Sequence, residues 1–331
     1  MGTHPFDVDI AVLITFFNRP DTLAKVFEAV KRARPSRLYL HQDGPRLSRN
    51  DIEKIMMCRK VVSDIDWECE VRTKYHEENY GCDPSMFNAQ KWFFDNEEYG
   101  IILEDDVVPA QAFFPYCKQL LEKYKHNENV HMVLGMNGFG VSEEIKDSYT
   151  FTKAVHGWGW ASWKRVMDTQ DPLYTWLENS EKMKSIQEYF HNKDAYEKFI
   201  QLSKKRCSEK IAYWEVTNGA SQMIFNRVNI MPRYNMICNV GLGEDSTHSG
   251  SDIKLVPKRW RSMFYMKRHE ISLDLVHPKT IETNALFDKV WRKRFNPGKK
   301  SRFTDKVETV FLNFRHLGVK STFKKIKKHF I

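Results

Sequence analysis

The chain has 331 residues, of which 41% are hydrophobic and 13% aromatic, so it can bury a full core as one large domain or as two closely joined ones. None of its apolar stretches approaches the roughly 20 residues of a membrane-spanning helix, and its first residues lack a basic segment followed by an apolar one, so we expect neither a membrane span nor a signal peptide. The net charge of +9 is uneven, because residues 290–331 contain 13 Lys or Arg against 2 Asp or Glu and the rest of the chain is close to neutral.

The first half of the sequence alternates apolar strands with amphipathic helices. Strands are predicted at residues 10–17, 37–41, 69–72, 101–103 and 130–135, with helices at about 21–30, 52–62 and 84–94. This alternation predicts an α/β fold with a mostly parallel sheet and helices on both faces. Ligands of such sheets bind beyond the C-terminal ends of the strands, so we expect residues 15–19, 43–46 and 104–106 to share one rim.

The second half of the sequence loses this alternation after residue 135. Residues 155–163 are dense in Trp and Gly, residues 180–202 predict a polar helix, and a further helix is predicted to open at residues 213–215. Residues 230–240 contain Pro232 and predict an irregular or edge strand. We expect a nucleotide-binding half at residues 1–140, an acceptor-side half of the same domain at 141–288, and a basic tail at 289–331.

The triplet Glu104-Asp105-Asp106 follows the apolar strand at residues 101–103. Three adjacent carboxylates repel one another unless a positive partner lies among them. Mg²⁺ and Mn²⁺ prefer oxygen ligands and are commonly held by one or two carboxylates together with substrate phosphates, so a divalent cation is the predicted partner. The alternative is that the carboxylates form a turn or cap a helix.

In their order along the chain, the segments at residues 15–19, 43–46 and 104–106 resemble those of glycosyltransferases of the GT-A fold, among them family-2-like bacterial enzymes that build surface polysaccharides. The later segments at residues 157–160, 214–215 and 244–248 resemble those of N-acetylglucosaminyltransferase I. The resemblance covers about residues 10–250. It implies a Rossmann-like GT-A sheet, a nucleoside-diphosphate sugar as donor with UDP favoured, and Mn²⁺ or Mg²⁺ as cofactor. It implies Asp106 as the direct metal ligand and His248, in a late loop, as a further one. The implied donor-site residues are Thr15, Asn18, Arg19, Asp43, Asn79, Gly81, Glu104 and Asp105.

The segment Gly157-Trp158-Gly159-Trp160 resembles the Gly-x-Gly-Trp acceptor loop of these enzymes. The resemblance implies that Trp158, Gly159, Trp160 and Trp214 lie beside the acceptor; the alternative is a Trp-rich hydrophobic core.

Glu215 stands where the relatives have the Asp of a Trp-Asp pair, whose carboxylate deprotonates the acceptor hydroxyl. This chain departs from them by carrying Glu, which can instead be a favourable charge in the first turn of a helix. Asp245 is the reserve candidate for the base. If Glu215 is the base, direct attack inverts the configuration at the anomeric carbon.

The basic tail has apolar residues at helical spacing, Val307, Val310, Phe311 and Phe314, and again at residues 323, 326 and 330. Lysines and arginines stand between them, which predicts an interfacial helix over residues 307–331 that lies on anionic lipid at the inner face of the cytoplasmic membrane. The alternatives are a solvated tail or a helix that packs on the protein. Nucleic-acid binding is disfavoured because the tail contains no recognisable binding module. Six cysteines without metal-like spacing predict reduced thiols in a cytosolic protein.

Together these features predict a metal-dependent, inverting transfer of a sugar to a hydroxyl of a glycan acceptor, lipid-linked in the favoured form, in surface-polysaccharide synthesis. A sugar-phosphate nucleotidyltransferase is one alternative, although residues 15–20 lack the Gly-rich loop that such an enzyme carries after its first strand. The other is a non-catalytic binder of membranes or nucleic acid that acts through the tail.

Overall fold

The computed structural model describes residues 4–47, 49–190, 192–243, 252–295 and 299–330, and the side chains of all of these except residues 299, 300, 302 and 319–330. Within these ranges the strands are β1 (Val8–Phe16), β2 (Pro35–Gln42), β3 (Glu70–Tyr75), β4 (Tyr99–Glu104), β5 (Val107–Pro109), β6 (Val130–Leu134), β7 (Tyr149–Thr152), β8 (Trp160–Trp163), β9 (Val228–Pro232) and β10 (Ile237–Asn239). The α-helices are α1 (Pro20–Ala33), α2 (Ile52–Val62), α3 (Cys82–Asn96), α4 (Phe113–Lys123), α5 (Lys164–Met167), α6 (Ser180–Tyr189), α7 (Lys193–Glu209), α8 (Trp214–Ile224), α9 (Lys258–Arg261), α10 (Ala285–Phe295) and α11 (Lys299–Phe330).

The central sheet has the strand order β3-β2-β1-β4-β8-β6-β9-β7. Strands β3, β2, β1 and β4 are parallel, as are β6 and β9, whereas β8 and β7 run antiparallel to their neighbours. A second, two-stranded sheet pairs β5 with β10. The predicted α/β class with a mostly parallel sheet is confirmed, and it is consistent with a Rossmann-like GT-A fold.

Strand β1 explains why both faces of the sheet are covered. Its residues Ile10, Val12 and Ile14 belong to one buried cluster, which includes apolar side chains of α1, α2 and α4. The alternate residues Ala11 and Leu13 belong to a second cluster, formed with α3, α5, α8 and α10. Because successive side chains of a strand point to opposite faces, a continuous apolar run requires a helical layer on each side.

The structure differs from the sequence prediction beyond residue 135, where the chain adds four more strands. The residues predicted as an irregular or edge strand form β9, which lies inside the sheet between β6 and β7. Pro232 is the last residue of β9, so its missing N–H falls at the end of the hydrogen-bonded ladder. Strand β8 lies within the Trp- and Gly-rich segment, whose first part the resemblance had given as an acceptor loop.

The helix predicted over residues 180–202 is two helices, α6 and α7. Asn192 ends the continuity, because its side chain accepts a hydrogen bond from the Asp194 N–H at 2.8 Å and so caps the start of α7. Together with α8, these helices enclose a third apolar cluster that contains Trp176, Ile186 and Ile200.

The boundary predicted at residue 288 falls inside α10, which packs Phe287 and Trp291 into the core. The last helix, α11, changes direction at Gly318, whose φ of 76° is not helical. Among the described residues, no helix combines the length and the apolar character needed to cross a bilayer.

Candidate active site

The C-terminal ends of β1, β2 and β4 meet at one edge of the sheet, as the sequence predicts. Thr15, near the end of β1, lies opposite His41 of β2 on one side and Glu104 of β4 on the other. The loops that follow these strands therefore leave the sheet side by side. This is the edge at which α/β sheets of this kind bind ligands.

A cleft of about 1190 Å³ opens at this edge. Arg19, Glu104 and Asp106 line it from the sheet, and Glu215 lines it from the start of α8. The cleft therefore brings together charged residues from both predicted halves of the domain.

Arg19 is the positive partner of the acidic triplet. Its guanidinium donates hydrogen bonds to both carboxylate oxygens of Asp105, and its Nη1 donates to Oδ2 of Asp106 at 2.8 Å. Asp105 is buried and also accepts a hydrogen bond from the Phe17 N–H at 3.4 Å. Burial raises the pKa of Asp105, and the charge of Arg19 opposes that shift. The triplet has the positive partner that its charge requires, and in this structure that partner is a guanidinium of the protein.

Asp106 is held from several directions. Its Oδ1 accepts a hydrogen bond from Nδ2 of Asn239 at 3.3 Å, and its backbone carbonyl accepts one from the Val240 N–H at 2.8 Å. A β-carbon at Gly241 would lie 1.9 Å from Asp106 Oδ2, so only glycine fits against this carboxylate. Pairing of β10 with β5 brings the 239–241 segment to this position.

The carboxylates at this edge are the type of ligand that a hard divalent cation prefers. The triplet has one guanidinium for three carboxylates, and the pKa of Glu104 is raised well above its usual value by burial and by the charges of Asp106 and Asp105. A carboxylate has about four lone-pair sites, of which Arg19 and Asn239 occupy two on Asp106. No three His, Cys, Asp or Glu side chains within the described ranges converge to hold a metal alone. A cation here would complete its coordination with water and substrate phosphates.

Two predicted donor-site residues, Thr15 and Asn18, are buried and hold the framework together. Thr15 Oγ1 donates to the backbone carbonyl of Leu103 at 3.3 Å. Asn18 Nδ2 donates to Oδ1 of Asp51 at 2.8 Å, and Arg46 donates to both oxygens of the same carboxylate. The hydrogen bonds from Arg46 lower the pKa of Asp51 to about 2, so this buried carboxylate stays charged.

Asp43 is a loop anchor in this structure. Its Oδ1 accepts hydrogen bonds from the N–H groups of Gly44 and Tyr80, at 3.0 and 2.9 Å. Its Oδ2 accepts from the Gly81 N–H and the Asn79 amide, at 3.0 and 3.1 Å. Four donors fill the four lone-pair sites of the buried carboxylate, which leaves none for a uracil or a ribose. Asp43 therefore acts as a turn residue in this structure, and Asn79 and Gly81 contribute donors to the same carboxylate.

Glu215 is exposed in the first turn of α8 and accepts a hydrogen bond from the Tyr213 hydroxyl at 2.6 Å. The guanidinium of Arg206 lies over the Tyr213 ring, 4.9 Å from its centroid, and forms an ion pair with Asp83 of α3 at 2.8 Å. The negative charge of Glu215 is also among the causes that raise the pKa of Glu104, after burial and the two aspartates. The Tyr213 hydroxyl therefore positions the Glu215 carboxylate, and Arg206 packs on the Tyr213 ring. Glu215 also lies close enough to the triplet for its charge to act on Glu104.

The four residues predicted to contact an acceptor occupy different environments. Trp158 and Trp214 line the cleft, whereas Trp160 is only 2% exposed and stacks on Trp214 with ring centroids 5.8 Å apart. Gly159 is buried with a φ of 62°, and a β-carbon there would lie 2.4 Å from Ile237 Cδ1. Trp160 and Gly159 therefore support the wall of the cleft, as in the Trp-rich core alternative, and Trp214 is itself only 8% exposed, so Trp158 is the most accessible of the four.

Several residues that line the cleft beside the predicted Trp158 have no counterpart in the predicted set. An aromatic wall is formed by side chains of the 156–158 loop, the 260–264 segment and α10. Its members are His156, Trp158, Trp260, Phe264, Trp291 and Phe295.

Burial lowers the pKa of His156 to about 4, so its imidazole is neutral near pH 7. Of this wall, the sequence predicted only Trp158 at the acceptor; Trp260 and Phe264 fall in the predicted acceptor-side half, and Trp291 and Phe295 in the predicted tail. The predicted sites Asp245 and His248 lie outside the described residues.

No protein-family model matches the chain, and no curated protein matches it. Among solved structures, the chain is similar to the mannosyltransferase PcManGT of Pyrobaculum calidifontis in complex with GDP-Man and Mn²⁺, at 12% identity and a TM-score of 0.33, over 49% of this chain and 48% of that one. It is similar to the inositol-1-phosphate CTP transferase of T. maritima, at 12% identity and a TM-score of 0.30, over 52% and 77% of the chains. It is similar to mouse xyloside xylosyltransferase 1, at 10% identity and a TM-score of 0.33, over 82% and 98%. Similarity this low leaves the function to be argued from the site.

Proposed function

We infer that this protein transfers a glycosyl group from a nucleoside-diphosphate sugar, with UDP as the favoured nucleotide, to a hydroxyl group of a glycan acceptor. The observation that carries this inference is the cleft shared by Arg19, Glu104, Asp106 and Glu215. Its volume of about 1190 Å³ exceeds the ~300–1,000 Å³ of common small-molecule pockets, so two substrates can enter together.

The two sides of the cleft suit the two halves of the reaction. On the sheet side, Asp106 would hold a divalent cation with Glu104 beside it, and Arg19 keeps the neighbouring Asp105 neutralised. A bound Mn²⁺ or Mg²⁺ would supply positive charge that stabilises the departing nucleoside diphosphate. His248 remains a predicted further ligand.

On the side of α8, the Glu215 carboxylate accepts the proton of the acceptor hydroxyl. The acceptor oxygen forms a bond to the anomeric carbon as the bond from that carbon to the diphosphate oxygen breaks, and the electron pair leaves with the nucleoside diphosphate. The Tyr213 hydroxyl engages Oε2 of Glu215, which leaves Oε1 for the acceptor. Attack from the side opposite the diphosphate inverts the configuration.

The aromatic wall suits a sugar acceptor because the apolar faces of pyranose rings pack on aromatic rings. Trp158 is its most direct candidate, since it stands at the cleft between His156 and Phe264, with ring centroids 4.7 and 5.2 Å away. A lipid-linked glycan of bacterial surface-polysaccharide synthesis is the acceptor class that we propose.

Thermal denaturation with UDP, GDP and their sugar derivatives, each with and without Mn²⁺, tests the donor half of this proposal. We expect one nucleoside diphosphate to raise the melting temperature only in the presence of Mn²⁺, because metal and diphosphate complete each other's coordination. Asp106→Asn should abolish the part of the rise in melting temperature that depends on Mn²⁺. The matched control Asp95→Asn, in a surface ion pair with Lys91, should retain it. The proposal fails if no nucleotide stabilises the protein in a metal-dependent manner.

A further inference from the structure

The first part of α11 exposes an apolar face. Phe303, Val307, Val310 and Phe311 have exposed fractions of 67%, 52%, 37% and 60%. Their spacing places them along one side of a helix with about 3.6 residues per turn. Four large apolar side chains are therefore exposed on one face of the helix, and exposed apolar surface that is grouped in this way marks interaction sites.

The opposite face of the same helix is polar and contacts the protein. Ser301 Oγ accepts a hydrogen bond from Arg259, Asp305 pairs with Arg259 at 3.4 Å, and Glu308 accepts one from the Lys258 N–H at 3.0 Å. Surface helices usually bury their apolar side and expose their polar side. The first part of α11 reverses this arrangement, although Leu312 is buried among the polar contacts.

The charges of this segment favour an anionic partner. Residues 299–331 contain ten Lys or Arg and two acidic residues. Both acidic residues, Asp305 and Glu308, are engaged by α9, so their charges are turned toward the protein. An exposed apolar stripe combined with excess positive charge is the pattern of helices that lie in the interface of anionic bilayers.

We propose that the outward face of α11, defined by Phe303, Val307, Val310 and Phe311, docks the protein on an anionic lipid surface. This extends the predicted interfacial segment toward its N-terminus and gives the face that enters the interface. Helix α9, which α11 contacts, also contributes Trp260 to the cleft. Docking through α11 therefore holds the cleft near the lipid surface, where a lipid-linked acceptor would be presented.

Co-sedimentation of the full chain with lipid vesicles tests the proposal. We expect binding to phosphatidylcholine vesicles that contain phosphatidylglycerol. Binding should be at least tenfold weaker to pure phosphatidylcholine, which lacks anionic lipid, and at high salt, which screens the attraction of the cationic residues. The triple variant Phe303→Ser, Val307→Ser, Phe311→Ser should bind the anionic vesicles at least tenfold more weakly. The control variant Met56→Ser, Leu173→Ser, Val276→Ser, which alters side chains exposed elsewhere, should bind like the original chain.

Three results would overturn the docking role. The first is equal binding of the triple variant and the original chain to anionic vesicles, and the second is no binding by either. The third is a dimer of the original chain in sedimentation velocity that the triple variant abolishes without any vesicle binding, since the face would then belong to a second copy. Because the substituted residues lie outside the cleft, Mn²⁺-dependent stabilisation by nucleotide should persist in the triple variant, which separates failure of this proposal from failure of the transferase proposal.

Discussion

A β-carbon at Gly241 would lie 1.9 Å from Oδ2 of Asp106, so the 241 backbone and this carboxylate occupy adjoining space. The oxygen concerned is the one that accepts the hydrogen bond from Arg19. The position of Asp106 thus depends on two segments far apart in sequence, and a change at residue 241 should act on it directly.

Gly241→Ala should displace the Asp106 carboxylate and weaken Mn²⁺-dependent nucleotide binding at least tenfold. The overlap with a side-chain oxygen is relieved by local movement, so we expect a loss of stability of about 1–3 kcal/mol and a folded protein. Titration calorimetry of the nucleotide with Mn²⁺, together with denaturant unfolding, measures both. The control is Gly243→Ala, because a β-carbon at residue 243 meets no atom within 4 Å. Equal binding by the two variants would contradict the role given to Asp106.

Glu215→Gln should lower kcat by about 10²- to 10⁴-fold, the range typical of a lost general base. The amide can still accept the hydrogen bond from Tyr213, so the surroundings of residue 215 should be preserved. Binding of the donor nucleotide with Mn²⁺ should change by less than twofold, because Glu215 lies on the acceptor side. Asp245→Asn is the comparison. If it abolishes turnover while Glu215→Gln does not, the base is Asp245.

Trp158 and Trp160 should respond differently to replacement by Ala. Trp160 is buried against Trp214, so Trp160→Ala should cost about 3–5 kcal/mol of unfolding free energy, the usual range for a large core residue. Trp158 lines the cleft and should mainly affect the acceptor, raising its KM severalfold with a smaller loss of stability. Unfolding in urea and acceptor kinetics at saturating donor separate the two effects. A reversed pattern would place Trp160, not Trp158, at the acceptor.

The contrast between these tryptophans shows where sequence reasoning succeeds and where it stops. The apolar run of β1 predicted a strand, and the Asn-Arg pair that follows it predicted a charged rim. Both predictions succeed because strand periodicity and loop chemistry depend on residues that are close in sequence. The side-chain partners of Asp106 are Arg19 and Asn239, which are 87 and 133 residues away in the sequence. No local sequence pattern predicts such pairings. Similarly, the composition of residues 155–163 shows that the segment is rich in Trp and Gly. It does not show which indole ring β8 places in the core.

Asp43 illustrates a different difficulty, because one residue type suits two roles. An Asp after a strand can contact a ligand or bind its own loop, and the sequence offers both. In the folded protein the N–H groups of Tyr80 and Gly81 donate hydrogen bonds to its carboxylate oxygens, so Asp43 binds its own loop. These N–H groups reach Asp43 because of the way the loop before α3 folds against the end of β2. Long-range backbone contacts of this kind are a property of the folded chain.

His131 should make the protein less stable as the pH falls. It is fully buried in β6, its Nε2 lies 3.0 Å from Asn218 Oδ1, and burial together with the charge of Arg227 lowers its pKa to about 3. The unfolded chain has an ordinary histidine pKa of about 6.5, so below that pH the unfolded state binds a proton that the folded state does not. At about 1.4 kcal/mol per pH unit, His131 alone should remove about 2 kcal/mol of unfolding free energy between pH 7 and pH 5.

Urea unfolding at these two pH values measures the effect. In His131→Gln the loss between pH 7 and pH 5 should be about 2 kcal/mol smaller than in the original chain, whatever the baseline stability of the variant. Contributions from other titrating groups, such as Glu104 and His156, are common to both proteins and cancel in this difference. An unchanged pH dependence in His131→Gln would mean that burial does not lower the pKa of His131 below its value in the unfolded chain.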